Sequence, residues 1–311
     1  MDILTIGGIL VEIMRTDLDQ PLDQPATLVG PFPSGDVPIF INAAAKLGGD
    51  SALIGVVGDD QFGACHKRKM QQSGVDTTYV RVQKGATTGT AFVSYFSDGS
   101  REFIYHWRHA AAGMLNESDV ENADLSDVKW VHITGITLAV NDGCKKAVYK
   151  LLSKIPSSAK VSFDPNIRPE LLSVDQIREM CKPVIERADI IFPSLTEAMM
   201  FTGDASDDEG CKRWAKSGKL VVLKMGEEGS RVFDGDNIID VPTFKVEEVD
   251  PTGAGDSFCA GFIIALNEGK DLYDAALFAN AVGALSVTKK GPMDGACTKE
   301  EALAFIAKNK K

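Results

Sequence analysis

The sequence predicts an α/β protein: a mostly parallel central sheet flanked by helices, with a small separate β-sheet serving as a lid. Three observations carry this. From about residue 128 onward, short runs rich in β-branched residues alternate with helix-period stretches. Strands spaced by helices imply right-handed βαβ units and a sheet covered on both faces. Two earlier segments, 11–41 and 87–107, instead carry short alternating strands.

The elements follow in order. Ile3-Leu4-Thr5-Ile6 reads as a buried strand running into the Gly7-Gly8 turn. In the second lid segment, Ala91-Phe92-Val93-Ser94-Tyr95-Phe96 precedes a turn at Asp98-Gly99 and a return strand, Arg101-Glu102-Phe103-Ile104-Tyr105. The core strands are expected at 128–133, 160–164, 189–193 and 220–224, with helices expected to about 155, at 174–188 and from near 196. A helix over 257–267 should stop at Gly269, and a last pair is expected over 272–288 and 299–309. Asp234-Gly235-Asp236-Asn237 lacks the terminal Glu of a calcium loop and reads as a hairpin turn. The chain is taken as one domain, 1–311, with the lid formed by 11–41 and 87–107.

Composition narrows the function classes. A net charge of −11 argues against a nucleic-acid partner, and no apolar run approaches the ~20 residues that span a bilayer. The start of the chain lacks a basic, cleavable leader, so a cytoplasmic location is expected. The six cysteines are scattered without Cys-x-x-Cys pairs, and the four histidines show no ligand spacing with them. His132, between Val131 and Ile133, reads as a core-strand histidine.

The most informative stretch is Asp250-Pro251-Thr252-Gly253-Ala254-Gly255-Asp256-Ser257-Phe258-Cys259-Ala260-Gly261-Phe262. Its glycines let successive N–H groups face one concavity, and the helix beginning near Asp256 adds unpaired N–H groups and a positive dipole end. Such a site attracts phosphate. Asp256 then stands beside an anion site, which suits a base that takes a proton from an attacking hydroxyl. Capping of the helix by Asp256 is the other reading of a bare Gly-x-Gly-Asp.

Over these thirteen residues the chain resembles the C-terminal signature of the PfkB (ribokinase-like) carbohydrate kinases, and the resemblance extends over nearly its whole length. It is nearest to the 2-keto-3-deoxygluconate kinase, fructokinase and ribokinase group. Gly55-Val56-Val57-Gly58-Asp59-Asp60-Gln61-Phe62-Gly63 is similar to the family's N-terminal glycine-rich signature and also reads as a strand–turn–helix corner. The resemblance implies a ribokinase-like fold, with Asp256 as general base and the Gly253, Ala254 and Gly255 amides around the transferred phosphoryl. Arg168, in Phe163-Asp164-Pro165-Asn166-Ile167-Arg168, would face phosphate and substrate; a structural Asp164–Arg168 ion pair is the alternative.

Pro193-Ser194-Leu195-Thr196-Glu197 is similar to the family's Asn-x-x-Glu motif with Ser194 in place of asparagine, implying water-mediated Mg²⁺ binding by Glu197; Ser194 or Thr196 as an N-cap fits equally. Lys224, Gly226 and Gly229 resemble the nucleotide-binding turn, and Asn280 matches a position bordering adenine. Asp250, Thr252, Ser286 and Gly291 match a monovalent-cation loop for K⁺. The sugar side would comprise Gly35, Asp36, Tyr105, Arg108, Asn166 and Arg168, with Asp256 at the reacting hydroxyl.

The chain departs from the pattern at Ser34, in place of a glycine, and at Ile39, in place of the sugar-binding asparagine; Asp36 and Asn42 are expected to supply replacement hydrogen bonds. What the resemblance implies is an ATP- and Mg²⁺-dependent kinase of a small sugar, a ketose or keto-sugar acid ahead of ribose, with a homodimer through the lid. A nucleoside or vitamin kinase of the same fold, or an inactive binding protein, are the alternatives.

Overall fold

The computed structural model describes residues 1–166 and 172–309. In chain order the first strands are β1 (Ile3–Ile6), β2 (Leu10–Arg15), β3 (Leu28–Ser34), β4 (Ser51–Gly58), β5 (Val80–Gln83), β6 (Gly89–Tyr95) and β7 (Arg101–His106). There follow β8 (Trp130–Thr134), β9 (Lys160–Asp164), β10 (Ile190–Ile191), β11 (Leu220–Lys224), β12 (Ser230–Asp234) and β13 (Asn237–Val241).

The central sheet has the order β13-β12-β11-β10-β9-β8-β1-β4-β5. It is parallel except for the β11–β12–β13 hairpins at one edge. The strands are continuous apolar runs because helices cover both faces. Alternate residues serve opposite cores: Leu4, Ile54, Val131, Val161 and Val221 pack to one side, while Ile3, Leu53, Ile190 and Val222 pack to the other. Buried His132 fits this scheme. Its Nδ1 lies 2.9 Å from the Ser162 hydroxyl, its ring stacks on Phe40, and burial lowers its pKa to about 3. All six cysteines are free, five of them buried.

The second sheet, β3-β2-β6-β7, is the smaller separate sheet drawn from the two early segments, termed the lid after its expected role, with β2 and β6 parallel and the outer pairs antiparallel. Its first segment is shorter than the expected 11–41, because residues 36–46 are the helix Asp36–Lys46. The apolar run Val37-Pro38-Ile39-Phe40-Ile41 is helical rather than extended. Gly35, at φ 113°, turns the chain, and Pro38 sits in the first turn, where an N–H has no intrahelical partner to lose. That helix packs on the Ala254–Asn267 helix and brings the two glycine turns, at 35 and 253, together. The last three helices run Ala254–Asn267, Leu272–Ser286 and Lys299–Asn309. The Gly235-Asp236 turn joins β12 to β13 as a two-residue hairpin.

Candidate active site

The turn before the Ala254–Asn267 helix is built as an anion cradle. Gly253 is its N-cap at φ 85°, in the left-handed region, and no side chain caps the helix. A Cβ there would meet Ile39 Cγ2 at 2.7 Å and the Pro292 carbonyl at 3.0 Å, so only glycine fits. Asp256 lies inside the first helical turn, so it is not the N-cap.

Beneath this turn sits a buried ion pair. Lys224, at the C-terminal end of β11, bonds through Nζ to Asp164 Oδ2 at the end of β9. Nζ lies 3.4 Å from where a Cβ on Gly255 would be. Burial works most strongly against the ammonium, but the Asp164 carboxylate and the nearby Cys259 and Glu197 together raise the Lys224 pKa. Its chain is pinned by a backbone bond from Lys224 N to the Pro193 carbonyl, 2.8 Å. The same loop carries Glu197, a buried carboxylate that accepts from the Ser194 amide at 2.7 Å.

Above these groups lies a cavity of about 740 Å³ between lid and core. Gly35, Asp36, Asn166, Ser194, Glu197 and Lys224 line it from the core, together with Thr252, Gly253, Ala254, Gly255 and Asp256. Tyr105 lines it from the lid. Asn166 donates to Asp36 at 3.4 Å, joining two of the expected sugar residues. Ile39 also lines the cavity, whereas Asn42 is turned away as the acceptor of the Ser73 hydroxyl, 2.6 Å.

Other expected residues lie elsewhere. Arg108 lines a second cleft, of about 420 Å³, with His106 and His109; it shares only the Tyr105–Trp107 wall with the first. Asn280 spends its amide on the Ser230 hydroxyl and the Val241 and Pro242 carbonyls, at 3.1–3.2 Å. Gly226 and Gly229 have left-handed φ values of 59° and 98° in the β11–β12 turn, and a Cβ on Gly229 would strike the Val241 carbonyl at 2.3 Å. Gly58 and Asp59 join β4 to the 85–88 segment, through Gly58 N to the Thr88 hydroxyl and Gly85 N to Asp59. In the expected cation loop, Asp250 Oδ2 accepts from Gly291 N at 2.9 Å, and the Ser286 hydroxyl bonds back to the Gly283 carbonyl. Arg168 lies outside the described residues.

Sequence reasoning missed Glu12. It projects from β2 into the cavity, is 5% exposed, accepts from the Ser34 hydroxyl at 2.5 Å, and leaves Oε2 without a partner. A charged residue amid Ile9-Leu10-Val11-Glu12-Ile13-Met14 was the available signal. Burial, with Asp250 nearby, pushes its carboxyl up to about 7. A raised carboxyl pKa contributes stability below about pH 4.5 that is lost as pH climbs through 7. The shift corresponds to at most roughly 3 kcal/mol. Glu12→Gln should therefore unfold in urea with a smaller loss of stability between pH 5 and 8 than wild type; identical pH slopes would remove the buried acid.

The pfkB family carbohydrate kinase profile matches residues 40–299. The chain belongs to that family. This carbohydrate kinase, a phosphotransferase with an alcohol acceptor, is 32% identical to fructokinase-1 of Zea mays, with 98% of each chain covered. It is 31% identical to fructokinase-2 of Solanum lycopersicum, covering 98% of this chain and 95% of that one. Among solved structures it is similar to an E. coli protein provisionally described as ribokinase II, in complex with ATP and Mg²⁺, at 36% identity, TM-score 0.93 and 99% coverage of both chains. It also resembles a double mutant of Vibrio cholerae O395 fructokinase holding fructose, ADP and potassium ion, at 27% identity, TM-score 0.84 and 98% coverage of both. The kinase has the ribokinase-like fold that these neighbours share.

Proposed function

We propose that this kinase transfers the γ-phosphoryl group of ATP to a hydroxyl of a neutral ketose, with Asp256 as general base. The observation that carries the reading is the cavity, which opens at one place onto the glycine cradle, Asp256 and hydroxyl-binding groups. Asp256 accepts the proton of the attacking hydroxyl, and the Gly253–Gly255 amides stabilise charge on the transferring group. Lys224, pre-paired and protonated, adds a fixed positive charge below that turn.

Mg²⁺ supplies neutralisation of the β- and γ-phosphates. Glu197 and Ser194, which line the cavity, would meet that ion through water. A monovalent cation would take the carbonyls of Asp250, Thr252, Ser286 and Gly291, since both Asp250 carboxylate oxygens already accept protein donors. Gly226, Gly229 and Asn280 would act by shaping the wall of the nucleotide site, and Arg168 would face the transferred phosphate. A homodimer through the lid belongs to the same proposal, supported by exposed Leu28 and Ile104; sedimentation at two concentrations reads it.

Glu12 and Asp36 on the sugar side favour a neutral ketose over a sugar acid, and the fructokinase relatives point the same way. The test is kcat/KM for fructose, tagatose, ribose and 2-keto-3-deoxygluconate, with and without excess EDTA. Fructose or tagatose should lead, and EDTA should abolish turnover. Ribose or the sugar acid leading by about tenfold, the scale of one hydrogen bond left unpaired, would overturn the substrate. Full activity in EDTA would remove the metal.

A further inference from the structure

We propose that Tyr95 is a positioning residue that ties the seating of the lid over the sugar to the shape of the phosphoryl-transfer turn. The inference rests on reading the cavity as the kinase site. Tyr95 ends β6, and its hydroxyl reaches across to the core, 2.9 Å from Asp250 Oδ1 and 2.9 Å from Thr252 Oγ1. A phenol has one proton. With that proton given to the carboxylate, the Thr252 hydroxyl donates to the Tyr95 oxygen in turn.

Asp250 is the hub of this contact. Its Oδ1 also accepts from Thr252 N at 3.1 Å, and its Oδ2 accepts from Gly291 N at 2.9 Å. One carboxylate thus fixes the lid, the residues immediately before Gly253, and the 287–295 segment that closes over them. On the lid side, Tyr95 pairs across the hairpin with Arg101, which lines the cavity. Its carbonyl accepts from Asp19 N at 3.0 Å, so the tyrosine is held from behind. The buried Glu12 carboxyl faces the same cluster from β2. A lid displaced by sugar therefore pulls on Thr252 and Gly253 through Tyr95, and a turn ordered by nucleotide pulls on the lid.

The test is Tyr95→Phe, which keeps the ring and deletes the tether. Amide hydrogen exchange is followed at 96–101 and at 252–256, together with kcat, the fructose KM, and ATP affinity by calorimetry with and without fructose. Both segments should exchange faster, kcat should fall by about 10-fold, and the effect of fructose on ATP affinity should shrink by a similar factor, the size of a hydrogen bond to a charged group. Thr252→Val combined with Tyr95→Phe should be no worse than the poorer single variant, because both remove one link. Loosening confined to the lid, with kcat and the fructose–ATP coupling within twofold of wild type, would overturn the proposal, as would additive variants. Exchange needs no turnover. A wild-type protein that phosphorylates no ketose would sink the proposed substrate and leave the tether judged by exchange at 252–256.

Discussion

Asp256→Asn is expected to lower turnover by at least about 100-fold, the lower range for loss of a general base, while the fold persists. The substitution is nearly isosteric, and the helix keeps its Gly253 N-cap. It also deletes a negative charge beside the phosphate site, so ATP affinity should hold or rise. Steady-state kcat with the best ketose and calorimetric ATP binding check both halves. Turnover within a few-fold of wild type would mean that the hydroxyl loses its proton elsewhere.

The second large effect concerns the ion pair beneath the turn. Lys224→Met strands the Asp164 carboxylate in a site where its side chain is 3% exposed. Breaking a buried pair from one side costs roughly 3–5 kcal/mol, so urea unfolding should shift strongly. Removing both charges, as Asp164→Asn with Lys224→Met, should recover much of that stability. Turnover should stay down by about 100-fold or more in the double variant, on the scale of a lost transition-state donor. A double variant that regains both stability and turnover would make Lys224 a structural residue only.

Much of the fold and the centre of the candidate site were legible because their signals are local. The cradle, its helix and the hairpin turn each lie within a dozen consecutive residues, and turn chemistry and helix period operate on that scale. The lid boundary failed at Val37–Ile41, where β-branched residues looked extended but Gly35 and Pro38 start a helix.

Contacts made across the chain left weaker traces. Tyr95 meets Asp250 and Thr252 more than 150 positions away, and nothing in either segment announces the other. Glu12 did announce itself, as a charge in an apolar strand, but only folding shows which cavity it enters. Arg108 lines the neighbouring cleft, because β7 ends at His106, after which strand alternation no longer fixes which way a side chain faces. Asn42 and Asn280 both bond to protein partners, as buried polar groups generally do, and sequence spacing does not reveal those partners.

Ile39 ties one wall of the cavity to the glycine turn. Its branched methyl occupies the space into which a side chain on Gly253 would project, and the residue is 3% exposed. The position where the chain departs from the asparagine expected by resemblance is thus also a wedge under the glycine turn. Ile39→Asn would place an amide with several hydrogen-bonding demands against backbone that offers an aliphatic-shaped gap. Position 39 and the Gly253 turn are therefore coupled by packing: exchanging the isoleucine for asparagine calls for rearrangement around Gly253, so shape as well as hydrogen bonding limits which side chain this position accepts.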